Sequence, residues 1–248
     1  MKIFACYNIK GGVGKTAAAV NLSYLSARQG WRTLLWDLDP QAAASFYFRV
    51  KPHIKKGARG IVQKRHPLQE HIKGTNYSNL DIIPADFSYR NFERYLDKSK
   101  KPTGRLGKVL KPLAHEYDYL FIDCAPSISV LSENIFHAAD ALLVPVIPTI
   151  LSVRTLSQLL EFMRTEKLNM LQVLPFFSMV DRRRLLHRTM LANPPFKEQL
   201  MLKSWIPYAS EVEKMGEHRS PVITYAPHCP SSEAYQSLWE EIIQTCIE

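Results

Sequence analysis

The 248-residue chain predicts an α/β fold: a doubly wound, mostly parallel sheet with helices on both faces. Three observations carry that expectation. Short β-branched runs alternate with amphipathic stretches along the chain. Two of the runs, YLFI at 119–122 and LLVPV at 142–146, are apolar throughout. A glycine-rich stretch, GGVGKT at 11–16, follows the first run and opens a helical pattern. Alternating strands and helices imply right-handed crossovers and parallel pairing, and uninterrupted apolar strands are those covered on both faces.

In chain order, the expected strands are Ile3–Tyr7, Thr33–Trp36, Leu80–Pro84, Tyr119–Ile122, Ala141–Val146 and Val173–Ser178. Helical periodicity marks Lys15–Gln29, Tyr89–Leu96, Leu131–His137 and Val153–Arg164 between them. Residues 231–248 also read as an amphipathic helix, with Ala234, Tyr235, Leu238 and Ile242 on one face. The polar, basic stretch Val50–Arg65 reads as a mobile surface excursion. No internal repeat or low-complexity tract interrupts the pattern, and residues 1–248 are expected to form one domain.

A hydrophobic content of 46% with 22% charged residues suits a folded soluble protein able to bury a sizeable core. The apolar run at 141–151 is too short for a bilayer and holds two prolines. The N-terminus reaches the glycine motif within ten residues, so no signal or transit peptide is expected. Cys6, Cys124, Cys229 and Cys246 form no CxxC pair, which suits a reducing, cytoplasmic setting. The net charge of +9 is unevenly placed. Residues 51–115 carry fifteen Lys and Arg against five acids, a local net of +10. A field of one sign so concentrated points to a polyanion, nucleic acid or an anionic membrane; the plainer reading is a solvated lysine face.

The ordinary phosphate loop is G-x-x-x-x-G-K-[ST]. Counting back from Gly14-Lys15-Thr16 puts Ile9 where its first glycine belongs, and a second lysine, Lys10, follows. Gly11, Gly12 and Gly14, with Val13 between them, let successive backbone N–H groups converge on phosphate oxygens, and the N-terminus of the following helix adds its positive end. Lys15 would hold the β- and γ-phosphates and the Thr16 hydroxyl would ligate Mg²⁺. Ala17 follows, where a second hydroxyl is common. Two acidic stretches fall at later strand ends. Asp37 and Asp39, in WDLDPQ, would point to one side by strand alternation. Asp123, in FIDCAPS, follows apolar residues as a Mg²⁺-supporting carboxylate does beside a phosphate loop.

KGGVGKT, DLDPQ and DCAPS, in this order and spacing, resemble the ParA/MinD family of deviant phosphate-loop ATPases. The likeness extends through DYLFIDCAPSISVLSENIFHAADALLVPVIPT, which resembles the ParA branch, and on to SMVDRRRLLHR and SWIP. The resemblance implies a Mg²⁺-dependent ATPase that hydrolyses ATP to ADP and phosphate, slowly unless a partner stimulates it. It implies that Lys10 reaches across a homodimer to the ATP held by the other subunit, an arginine-finger arrangement in trans; the alternative is a solvated cation at the site mouth acting only in cis. By the same carry-over Asp39 positions the attacking water, Asp37 steadies the Mg²⁺ shell and Asp123 serves as the second-switch carboxylate. Asp39 could instead only cap the turn at Pro40. Adenine would lie near the loops holding Met179 and Pro207.

Three outputs occur within such a family: non-specific DNA binding, membrane binding, and small-molecule or electron-transfer chemistry. The C-terminal stretch 231–248 has four glutamates and no Lys or Arg, the wrong sign for an anionic bilayer. A docked helix is expected there instead. Cys124 has no companion for a subunit-bridging cluster, and the chain has no room for a glutamine-hydrolysing domain. DNA therefore leads, with two candidate surfaces: Arg182, Arg183, Arg184 and Arg188 in one, and the stretch containing Lys55 and Lys56 in the other. Such contacts neutralise phosphates without reading bases. The arginines could alternatively form a salt-bridged helix start. Glu211 stands where many ParA-like proteins carry a basic residue, and no DNA-reading domain is expected before the ATPase. The expected function is ATP-dependent positioning or segregation of a cargo on nucleoid DNA, with a separate ParB-like or adaptor protein as stimulator. The competing function is a cytoplasmic ATP switch that regulates a protein assembly and never touches DNA.

Overall fold

A computed structural model describes residues 1–54, 57–63, 67–97, 103–168, 170–196 and 201–247. The first half of the chain runs β1 (Lys2–Cys6), α1 (Lys15–Arg28), β2 (Thr33–Asp37), α2 (Ala43–Tyr47), α3 (Gly57–Val62), β3 (Lys73–Gly74), β4 (Leu80–Ile83), α4 (Phe92–Asp97), α5 (Arg105–Leu110) and β5 (Tyr119–Asp123). It continues with α6 (Val130–Ala138), β6 (Ala141–Val146), α7 (Ile150–Thr165), β7 (Gln172–Phe177) and α8 (Leu185–Ala192). Three short helices follow, α9 (Ser210–Glu213), α10 (Met215–His218) and α11 (Val222–Tyr225), before the long α12 (Pro230–Ile247).

Seven strands form one sheet in the order β3-β4-β2-β5-β1-β6-β7. All neighbours pair in parallel except the short edge strand β3, which runs antiparallel to β4. Alternation along each strand sends side chains to two separate apolar layers. Leu120 and Ile122 enter the layer beneath α4–α7, while Phe121 between them enters the layer shared with α1 and α12. Burial on both faces is why the central strands carry no polar alternation.

The terminal helix is docked. Tyr235, Leu238, Trp239 and Ile242 are buried, the Trp239 ring meets Phe4, Tyr119 and Phe121, and its Nε1–H donates to Gln29 Oε1 at 2.8 Å. No helix among the described residues is long and apolar enough to cross a membrane.

The surface excursion expected at 50–65 is corrected only over α3, since residues 51–53 are exposed and irregular. α3 is a buried helix: Gly57, Ala58, Gly60, Ile61 and Val62 all pack inside, and the Ala58 amide donates to Ser88 Oγ at 2.8 Å. Its small residues conceal an apolar face that composition alone reads as polar. Lys55, Lys56, Lys64 and Arg65 lie outside the described residues.

The register positions the site. Across the sheet centre Cys6 pairs with Asp123 and Asp123 with Asp37, so the ends of β1, β5 and β2 stand in one row. The carboxyl ends of parallel strands are where α/β sheets hold ligands.

Candidate active site

From the end of β1 the chain curls through residues 7–14 into α1. Gly14 caps that helix at φ 93°, and a Cβ there would lie 2.9 Å from Ser178 Oγ, so both conformation and space demand glycine. Gly12 is also left-handed, at φ 69°. Gly11 has no positive φ, and a Cβ there would meet Pro126 at an ordinary 3.9 Å. The left-handed turns of this loop fall at Gly12 and Gly14. Asn8, unremarked in the sequence, pins it. Its side-chain amide donates to Pro145 O at 2.8 Å, and its Oδ1 accepts from the Lys10 amide at 2.9 Å.

The two lysines part company. Lys15 is buried and its ammonium donates to Lys10 O at 3.1 Å, inside the curl. Burial lowers its pKa; Asp123, Cys124 and Asp39 pull it back up. Lys10 carries its ammonium away from that centre, to Ser152 Oγ at 3.3 Å in the first turn of α7. Ser152 in turn sits 2.9 Å from the capping Thr149 Oγ1. Beside this contact Ile150 and Leu151 are 71% and 67% exposed.

Asp123 is fully buried, and neither of its oxygens has a hydrogen-bond partner of good geometry, although the Thr16 hydroxyl faces it. Burial, then the neighbouring Asp37, push its pKa well up. A carboxylate orphaned beside a threonine hydroxyl at a phosphate loop fits an outer-shell contact to Mg²⁺, which keeps most of its waters and takes few protein ligands. No cluster of three or more His, Cys, Asp or Glu able to hold a metal occurs among the described residues. An ion here would therefore be held chiefly by Thr16 and phosphate oxygens.

Asp37 is the residue expected to steady the Mg²⁺ shell. It is fully buried; Oδ2 accepts from the Ser45 amide at 2.8 Å and from Ser45 Oγ at 2.7 Å, and Oδ1 accepts from the Asp39 amide at 3.2 Å. Burial pushes it up to about 6. Its oxygens brace the turn between β2 and α2. Asp39 forms the cap that sequence left as its alternative: Oδ1 accepts from the Gln41 amide at 2.9 Å. It also remains partly exposed at the sheet edge, beside Lys15.

The Met179 and Pro207 loops are brought together by a parallel bridge between Val180 and Pro207, with Tyr208 N–H donating to Val180 O at 3.0 Å. The arginines separate into different roles. Arg183 pairs with Asp181 through Nε at 2.9 Å and a second nitrogen at 3.0 Å, which holds the Asp181 carboxyl down at about 2. For Arg183 this is the salt-bridged alternative, with the nearby acid Asp181 as partner. Arg184 precedes α8 in extended backbone and lines a cleft with Met179. Arg182 and Arg188 are exposed, linked by a 3.3 Å hydrogen bond from Arg188 to Arg182 O.

A family model described as an AAA domain matches residues 1–174. Over 247 residues the chain is 31% identical to the sporulation initiation inhibitor protein Soj of Bacillus subtilis, covering 97% of this chain and 98% of that one. It is 30% identical over 252 residues to the chromosome partitioning protein ParA of Myxococcus xanthus, covering 98% and 88%. The chain belongs to the ParA family. Among solved structures, a proposed plasmid partition protein of Borrelia burgdorferi bound to AMPPNP superposes with a TM-score of 0.85 at 25% identity, covering 98% and 99% of the two chains.

Proposed function

We propose that this ParA-family chain is a partition ATPase whose ATP-bound form is a homodimer that holds DNA without sequence preference. The observation that carries the proposal is the divergence of its two lysines. Lys15 is buried in the curl, so phosphate held there already has its cation. Lys10 stands off at Ser152 beside exposed Ile150 and Leu151, where a second copy could meet it. A cation that reaches the γ-phosphate of a neighbouring subunit favours the dimer only while that phosphate is present. Lys15 would balance phosphate charge and Thr16 would offer its hydroxyl to Mg²⁺. Asp39 would release its Gln41 cap to orient water. Bound Mg²⁺ would neutralise charge on the β- and γ-phosphates. The likeness to an AMPPNP-bound structure supports adenine nucleotide as the ligand, and the names of the relatives support partition as the output.

For DNA, Arg182, Arg184 and Arg188 are exposed and, among the described residues, only Arg183 of the four arginines is ion-paired with a carboxylate. Since Arg183 is engaged with Asp181, the reading in which the switch regulates a protein assembly without DNA keeps a specific observation in its favour. One experiment separates the two. DNA retention is measured with ATP, ADP or no nucleotide across a salt series, for wild type, Lys10→Ala, and charge reversals at Arg182/Arg188 and Lys55/Lys56. ATP-dependent retention that falls with salt and disappears in Lys10→Ala supports the proposal. Equal retention in all nucleotide states, or none in any, removes DNA from the cycle; an ATP-loaded monomer at high concentration removes the dimer.

A further inference from the structure

α2 begins at Ala43, just beyond the Asp39 turn, and its far end meets α10. Two arginines join these helices, each crossing to the other's end. Arg49, the residue after the C-cap of α2, donates from Nη2 to His218 O at 2.8 Å and from Nε to Arg219 O at 3.4 Å. Arg219, the C-cap of α10, donates from Nε to Phe46 O at 3.1 Å, and its guanidinium lies 4.4 Å from the centre of the Phe46 ring. The last carbonyls of a helix lack α-helical partners, and each guanidinium serves those of the helix it faces. Both arginines are left-handed, Arg49 at φ 59° and Arg219 at φ 49°. Glycine is the residue that ends a helix this way without strain. Arginine in both places points to a role for the guanidinium that outweighs the backbone cost.

From Arg219 a line of backbone hydrogen bonds leads to Asp39. The Phe46 amide donates to Ala42 O at 2.9 Å, and the Ala42 amide donates to Asp39 O at 2.9 Å. The Asp39 amide is held in turn by Asp37, which also accepts from Ser45 in α2. Asp39 therefore hangs between the end of β2 and the start of α2, and its carboxylate goes where those two anchors put it. β2 is fixed by a strand on either side. α2 has five residues, too few to be stable alone. Its place depends on what it packs against: the α1 layer through buried Ala44 and Phe48, and α10 through the arginine pair.

We infer that Arg219, crossed with Arg49, is a positioning residue for ATP hydrolysis: the pair fixes α2 against α10 and so holds the Asp39 turn in place. The inference rests on the ATPase reading given above and adds an anchor that touches neither phosphate nor metal.

The test compares the full chain as wild type, Arg219→Gly, Arg219→Lys and Arg49→Gly. Tm, the Kd for ATP, and turnover at saturating Mg·ATP are measured for each, with amide exchange of Phe46 followed without nucleotide. Glycine removes the guanidinium but suits the left-handed backbone, so the glycine variants should keep the wild-type Tm. Arg219→Gly should turn over about tenfold more slowly at an unchanged Kd, the scale of a small misplacement of a reacting group. Its Phe46 amide should exchange about tenfold faster, while that of Leu35 in β2 stays as in wild type. Arg49→Gly should show the same changes in weaker form, and Arg219→Lys, which keeps a cationic donor for Phe46 O, should recover part of the turnover. Turnover that falls only in step with Tm would mean a merely structural arginine and overturn the inference. So would wild-type turnover in Arg219→Gly, or faster Phe46 exchange with no loss of turnover. If wild type hydrolyses no ATP, the ATPase reading falls and this one with it; if it does and the variants match it, only this one falls.

Discussion

Ser45→Ala tests whether the buried carboxylate at the end of β2 braces the first switch. The Ser45 hydroxyl makes two contacts: it donates to Asp37 Oδ2 at 2.7 Å and accepts from the Ala85 amide at 2.9 Å, tying β2, α2 and the end of β4 together. Removing it breaks a hydrogen bond to a charged acceptor, worth about 1.5–3 kcal/mol, and leaves a buried amide unpaired at a cost of about 1–3 kcal/mol. The Ser45 amide still reaches Asp37, so a total near 3 kcal/mol is expected at pH 8. The pH dependence follows from Asp37, which burial pushes up to about 6. Its folded pKa lies above the ordinary carboxylate value, so the native state binds the extra proton and stability falls as pH rises from about 4 through 6. The hydroxyl offsets part of that fall by stabilising the ionised form. At pH 5 Asp37 is mostly protonated and the lost bond is a neutral one, so the substitution should cost about 1 kcal/mol less than at pH 8. Urea unfolding of wild type and variant at both pH values, without nucleotide, measures this, and Asp123 largely cancels because it is common to both proteins. A loss below about 1 kcal/mol at both pH values, or a larger loss at pH 5, would refute the brace.

Gly14→Ala should cost at least about 2 kcal/mol, since φ 93° is unfavourable for any L side chain and the new Cβ would meet Ser178 Oγ at 2.9 Å. Adding Ser178→Ala should return the part due to overlap and leave the part due to φ, a separation that denaturant melts of the two single variants and the double variant can read. Lys167, exposed just past α7 at φ 56°, is a left-handed residue without a side-chain bond to lose. Lys167→Gly should therefore stabilise the chain by up to about 1 kcal/mol, measured as a rise in Tm.

Much of the architecture was legible because a sheet covered on both faces writes itself as apolar runs. Ala141–Val146 agrees at both ends, and the other expected strands differ by a residue or so at one or both ends. The edge strand β3 went unread, for a two-residue Lys-Gly pairing has no pattern of its own. The Tyr89–Leu96 stretch divides into a 3₁₀ turn over Phe87–Asn91 and the helix α4, because Asp86 caps the turn through the Ser88 amide. α3 was hidden because Gly57, Ala58 and Gly60 bury without looking apolar, their smallness letting the helix approach its neighbours closely. Ile150 and Leu151 extend α7 beyond the expected Val153 start, and a buried amphipathic stripe does not announce two exposed leading residues.

The linear order of residues determined which groups this protein can bring to phosphate: two lysines five positions apart in a glycine curl, a threonine beside the second, and aspartates placed at strand ends. Those follow from local rules, since a strand ending, a left-handed glycine and a helix start involve only neighbours in the chain. Tertiary structure decided which of these groups remain free. Asp37 and Arg183 are taken by Ser45 and Asp181, Lys10 is drawn to Ser152, and Asp123 and His187 keep unpaired atoms. Most of these outcomes depend on partners distant in the chain or on depth of burial, and a hydrogen bond or a desolvated charge is set by what the fold packs around it.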